Sequence, residues 1–140
     1  MPADSSLLSP QAALIYAMIT TSAVDKTISD EELQRMGSIV KQLPVFSTYE
    51  HDWLVREAQD CGKILREAGG LDRVLALINA SLPEQLRETA YVLCAEVAAA
   101  DLHIEAEERR FLDLLAAELE LDALTRVALD RGARARHRNI

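Results

Sequence analysis

The chain reads as an all-α, single-domain bundle of about seven helices, and three observations predict it. Apolar residues make up 49% of the 140 residues while aromatics make up 4%, and Gly and Pro are scarce, which is the composition of packed helices. Apolar residues recur at helical spacing in segment after segment. Between these segments stand Ser, Asp and Pro start signals and Gly or Pro stops. A chain of this length buries a core without cross-links.

Taken in order, residues 1–8 form a flexible N-terminus and the first helix starts at Ser9-Pro10, where Ser is a good N-cap and Pro at N1 gives up an amide that has no partner anyway. Its apolar stripe is Leu14, Ile15, Met18, Ile19 and Ser22, and it ends near Asp25. Ser29 and Glu32 make an S-x-x-E capping box that opens a second helix through Leu33, Met36, Val40 and Leu43, stopped by Pro44. Ser47 to Glu50 offers the cap of a third, running through Trp53, Leu54, Ala58, Cys61 and Leu65 to Gly69-Gly70. The fourth, Leu71 to about Ala80, completes a middle hairpin. Ser81 and Glu84 open the fifth, which carries Leu86, Ala90, Leu93, Cys94, Val97 and Ala98. A sixth runs from about Ala106 to Leu119 and a short seventh, capped by Asp122, takes in Leu124, Val127 and Ala128. The domain thus spans residues 9–130, and residues 131–140 read as a basic, disordered tail without apolar periodicity.

One unit occurs twice. Ala23 to Glu32 returns as Ala99 to Glu108, with Asp25 and Asp101, Ile28 and Ile104, and the pairs Glu31-Glu32 and Glu107-Glu108 in register. The flanking helices follow the same offset of 76 in pattern rather than identity. Two copies are too few for a solenoid, so the expectation is a closed bundle with two pseudo-twofold-related hairpins flanking the middle one.

The two acids of each copy carry different weight. A Glu in the first helical turn suits the free amides and the positive end of the helix dipole, so Glu32 needs no function beyond capping. In the second copy the capping position is Glu105, a poor cap, yet Glu108 is still there. Asp25 and Asp101 stand at the C-terminal ends of helices, where the dipole disfavours negative charge by about 0.3–1 kcal/mol; a turn-forming Asp bonding its own backbone is the plain alternative. If the two units pack face to face, Asp25, Glu32, Asp101 and Glu108 converge, and four carboxylates together need a cation. All-oxygen ligation favours Ca²⁺ or Mg²⁺, with Mn²⁺ next, over zinc. The likeness to an EF-hand is partial, since the loop Gly and the first and third Asp are missing. His103, between Asp101 and Glu105, is a candidate nitrogen ligand or an exposed loop residue. The competing accounts are a structural interaction module whose acids only cap helices, and a helical protein that binds a small molecule in a groove.

The bulk properties narrow the partners. The formal charge is −8, and four arginines in the last ten residues leave −12 on the rest; such a body repels nucleic acid and attracts cations or basic partners. Cys61 and Cys94 lack a close-spaced Cys or His and read as core thiols of a reduced compartment. Tyr16, Phe46, Tyr49, Trp53, Tyr91 and Phe111 are spaced as core residues. No secretory signal or bilayer-length apolar run is present, which points to the cytoplasm. H-E-x-x-H, E-x-x-H, phosphate-loop and G-x-S-x-G patterns are absent, so no enzyme activity is expected.

The duplicated A-[VA]-D-x-x-I-x-x-x-E unit, one copy in each half of an all-helical chain, resembles the TerB family of tellurite-resistance-associated proteins over about Ser9 to Leu129. The resemblance implies helical hairpins about a pseudo-twofold axis and an acidic patch that binds a divalent metal through Asp25, Glu32, Asp101 and Glu108. It also implies a stress-response setting with protein partners, some of them membrane-bound. Family members often carry Gly after the Asp, whereas Lys26 and Leu102 stand here, so the turn must close without easy left-handed dihedrals.

Overall fold

The computed structural model describes residues 7–23, 27–100 and 106–140. Among them are seven α-helices and no strand: α1 (Pro10–Ala23), α2 (Asp30–Gln42), α3 (Trp53–Leu65), α4 (Gly70–Ser81), α5 (Arg87–Ala99), α6 (Ala106–Glu118) and α7 (Ala123–Arg136), with short 3-10 turns at Pro44–Phe46 and Glu84–Leu86. The predicted class and the order of elements hold.

The middle of the molecule is α1. Every residue from Ala12 to Ser22 is buried, because α3, α4, α5 and α6 all pack against it. The sequence pattern marks a single stripe on this helix; in fact PQAALIYAMITTSA carries no charge on any side, and its polar groups are met internally. Thr20 Oγ1 donates to Tyr16 O at 2.8 Å and Thr21 Oγ1 to Ala17 O at 2.9 Å. Ser9 caps the start, accepting from Ala12 N at 3.0 Å. The amide of Leu8 donates to Ser81 Oγ at 3.0 Å, so the chain entering α1 is tied to the end of α4.

The repeat is visible in the packing. Its two first helices, α1 and α5, lie against each other, and each takes a further helix on its flank, α3 on α1 and α7 on α5. The packing therefore gives α3 a counterpart that no sequence offset reveals. The two second helices differ: α2 buries Met36, Gly37 and Val40, whereas α6 buries Glu108, Phe111, Leu112, Leu115 and Ala116.

The turns are set by local chemistry. Between α3 and α4, Gly69 adopts φ +71°, and a Cβ on Gly70 would lie 2.0 Å from the carbonyl oxygen of Ile64, so nothing larger fits there. Between α6 and α7, Glu120 takes the left-handed conformation at φ 57°, with Leu121 N bonded to Ala116 O and Glu120 N to Ala117 O, the paired bonds of a Schellman end. Arg87 then joins helices, donating to Leu119 O and Asn79 Oδ1, each at 2.8 Å.

Two sequence expectations need correction. Residues 131–136 are not tail but the last turns of α7: Ala133 is buried in the core, and Arg136 and His137 both reach Glu96. Trp53 is not core but 41% exposed, with its ring set edge-on to Tyr49 at 5.3 Å.

Candidate functional site

The first copy of the repeated unit is anchored by the predicted box. Ser29 has extended backbone and accepts from Glu32 N at 3.1 Å, while Glu32 Oε1 accepts from Ser29 N at 3.0 Å. This fixes the Glu32 side chain over the first turn of α2, where Asp30 and Glu31 add charge and are exposed.

Glu32 also faces the other copy. It lines a cavity of about 20 Å³ with Ser22, Arg35 and, from the end of α5, Val97 and Ala100. Ala100 is the residue before Asp101 in the chain. One copy's Glu is thus set against the helix that precedes the other copy's Asp101 in the chain.

Its equivalent, Glu108, lies deeper. It is 3% exposed in the first turn of α6, next to the exposed Glu107. Removing a carboxylate from water is costly unless charge or hydrogen bonds compensate, and the amide end of α6 supplies part of that compensation. Capping alone does not call for burial: Glu32 performs it half-exposed.

Asp25, Asp101, His103 and Glu105, with Lys26 and Leu102, lie outside the described residues. The structure therefore places Glu32 and Glu108 and leaves the convergence of the four acids as an expectation. Among the described residues, no three His, Cys, Asp or Glu side chains form a metal-ligand group. As a donor set the four carboxylates suit a hard divalent cation, with Glu108 held in the low-dielectric setting that strengthens ion binding.

The cysteines are buried free thiols, as expected of core residues. Burial raises Cys61 to about 11 and Cys94 to about 12, with hydrogen bonding to Thr20 and Thr21 pulling the other way. Both are therefore protonated near neutral pH, which suits neither a nucleophile nor a metal thiolate.

Two polar networks escaped the sequence reading because they join residues far apart. Tyr91 is fully buried, donates to Asp130 Oδ1 at 2.7 Å and accepts from Arg126 Nε at 3.1 Å, and Arg126 also pairs with Asp113. Glu96, 7% exposed, accepts from Arg136 Nε at 2.7 Å with His137 Nε2 3.2 Å away. The only signal for the second network is a charged residue inside the apolar run Val92–Ala100.

No helix among the described residues is long and apolar enough to cross a membrane. In comparison with known proteins, residues 11–131 match the family model described as tellurite resistance protein TerB. No curated protein and no solved structure matches the chain.

Proposed function

The chain belongs to the TerB tellurite-resistance family, and we propose that it serves there as a non-catalytic, cytoplasmic stress-response protein whose repeated acidic turns bind a divalent cation. Asp25, Glu32, Asp101 and Glu108 are the proposed ligands, and Ca²⁺ or Mg²⁺ is the proposed ion. What carries the reading is Glu108, buried to 3% exposure at the position where its repeat mate Glu32 caps a helix half-exposed. The placement of Glu32 beside Ala100 supports it, since it sets an acid of one copy against the helix end that precedes Asp101 in the other. A bound ion would join the two hairpins by neutralising acids from both. The acids next to the proposed ligands in the chain, Asp30, Glu31 and Glu107, are exposed and would attract a basic segment of a protein partner, including one anchored in a membrane.

Thermal shift with CaCl₂, MgCl₂ and MnCl₂ against an ionic-strength control tests the ion. A site filled at one hundred times its dissociation constant adds about 2.7 kcal/mol. An Asp25→Asn/Asp101→Asn variant should lose that gain, and a response identical to that of the natural chain would remove the claim.

A further inference from the structure

A larger groove lies away from the small cavity beside Glu32. It runs between the end of α1, the start of α2 and the length of α3, and encloses about 650 Å³, within the range of small-molecule sites. Its wall on α3 is one helical face, Val55, Ala58, Gln59, Gly62, Lys63 and Arg66, at steps of three and four residues. That face is graded. Val55 and Ala58 make one end apolar, Gln59 and Gly62 are neutral, and Lys63 and Arg66 make the other end cationic. Eleven residue steps from Val55 to Arg66 span about 16 Å. Ile19 of α1, Leu33 of α2 and Ile28 just before α2 supply apolar floor. Among the described residues neither Lys63 nor Arg66 has an ion-pair partner, although Asp30 also borders the groove.

The second half of the molecule offers an internal comparison. Ala95, Ala99 and Arg109 occupy the repeat positions of Ile19, Ala23 and Leu33, and line a cleft of about 290 Å³ between α5, α6 and α7. There the network of Tyr91, Asp130, Arg126 and Asp113 fills the junction with mutually paired charges. In the first half the corresponding junction has an apolar floor, and among the described residues Lys63 and Arg66 make no ion pair there.

We infer that the α1–α2–α3 groove is a binding site for a single-chain anionic amphiphile, its alkyl chain along Val55 and Ala58 and its carboxylate at Lys63 and Arg66. An apolar floor sheds water onto a hydrocarbon tail. One ammonium and one guanidinium group, neither with an acidic partner among the described residues, accept a carboxylate with little competition from within the protein. The grading along α3 fixes the orientation, and the length suits a twelve-carbon chain.

Calorimetric titration of the full chain with sodium dodecanoate, below its micelle concentration, tests this. Dodecyltrimethylammonium serves as the same tail with opposite charge, and acetate as the same head without a tail. The expected result is one dodecanoate per chain, bound at least tenfold more tightly than either comparator. Gly62→Leu should abolish binding by filling the groove; a Cβ there meets only Arg66 Nη1, at 3.5 Å, and Gly inside a helix is replaced at a gain. Lys63→Glu/Arg66→Glu should weaken binding at least tenfold, and Asp30→Asn should tighten it. Should Gly62→Leu fail to fold, Val55→Asp, at an exposed position, puts a charge at the tail end and should give the same loss. No dodecanoate binding, as for a groove shaped to a peptide helix, would overturn the inference. So would equal affinity for the cationic amphiphile, or binding that survives the groove-filling and tail-end variants.

Discussion

Arg136 Nε donates to Glu96 Oε1 at 2.7 Å, fastening the last turn of α7 to a carboxylate in the interior-facing wall of α5. The bond lies between residues 40 apart in sequence, and it converts what reads as a basic tail into part of the fold. Removing residues 131–140 should therefore lower the melting temperature and expose Glu96 and the pocket of Ala133. A tail outside the fold would be lost without effect. In amide exchange, Arg136→Ala/His137→Ala should lose protection through residues 131–137 first.

Tyr91→Phe keeps the ring in its buried place and removes the hydroxyl that donates to Asp130 and accepts from Arg126. Hydrogen bonds to charged groups contribute about 1.5–3 kcal/mol. Urea unfolding should show a loss in that range with an unchanged m-value, and the loss should shrink when Asp130→Asn is made as well.

The box at α2 is a local device and should respond locally. Ser29→Ala removes the acceptor of the Glu32 amide, and cap removal costs about 0.5–2 kcal/mol. The same measurement on Ser29→Asp should show little change, since Asp caps as well as Ser.

Stability should fall at alkaline pH for an identifiable reason. Burial holds Cys61 at about 11 and Cys94 at about 12, above the ordinary 9.0. The unfolded chain releases its thiol protons near pH 9 while the folded chain keeps them, so stability present below pH 9 is lost as the pH rises toward 11 and 12. Cys61→Ala and Cys94→Ala should each flatten the slope of stability against pH in that window. At neutral pH both thiols should react with a disulfide reagent only as fast as the molecule opens.

Asp122 works in the opposite sense. The Thr125 amide, donating at 2.8 Å, holds its carboxyl below the ordinary value. Its contribution is present above the unfolded carboxylate range and lost as pH falls through the folded value. Chemical shifts at the start of α7 should report fraying on acidification, and Asp122→Asn should make them insensitive to it.

What the sequence made legible was whatever is settled within a turn of helix. The Ser29 and Asp122 caps, the Gly69-Gly70 break and the order of seven helices all depend on neighbours three or four residues away. Burial depends on distant residues, and there the pattern misled. Trp53 sits at apolar spacing and is exposed, while Glu96 sits at a charge-bearing position and is enclosed. For the site, the repeat put Glu32 and Glu108 in register, and the poor cap at Glu105 already set Glu108 apart. Its burial shows only in the packing, where α6 lies against α1, α4 and α5 while α2 lies against α3. The α1–α2–α3 groove has no motif at all, because its apolar and cationic ends become one surface only when α3 is laid beside α1.

The enclosure of α1 on every side has a consequence for how the chain is made. This helix leaves the ribosome before α2 to α7, yet one wall of its enclosure is α5, whose last residue follows 76 positions after the end of α1. At about 5–20 residues per second, synthesis leaves an uncharged, apolar helix waiting several seconds for that wall. Until α5 arrives, the nascent first half carries apolar surface that the finished fold covers. An N-terminal fragment ending after α4 should bind a separately made α5–α7 fragment rather than stay in solution alone.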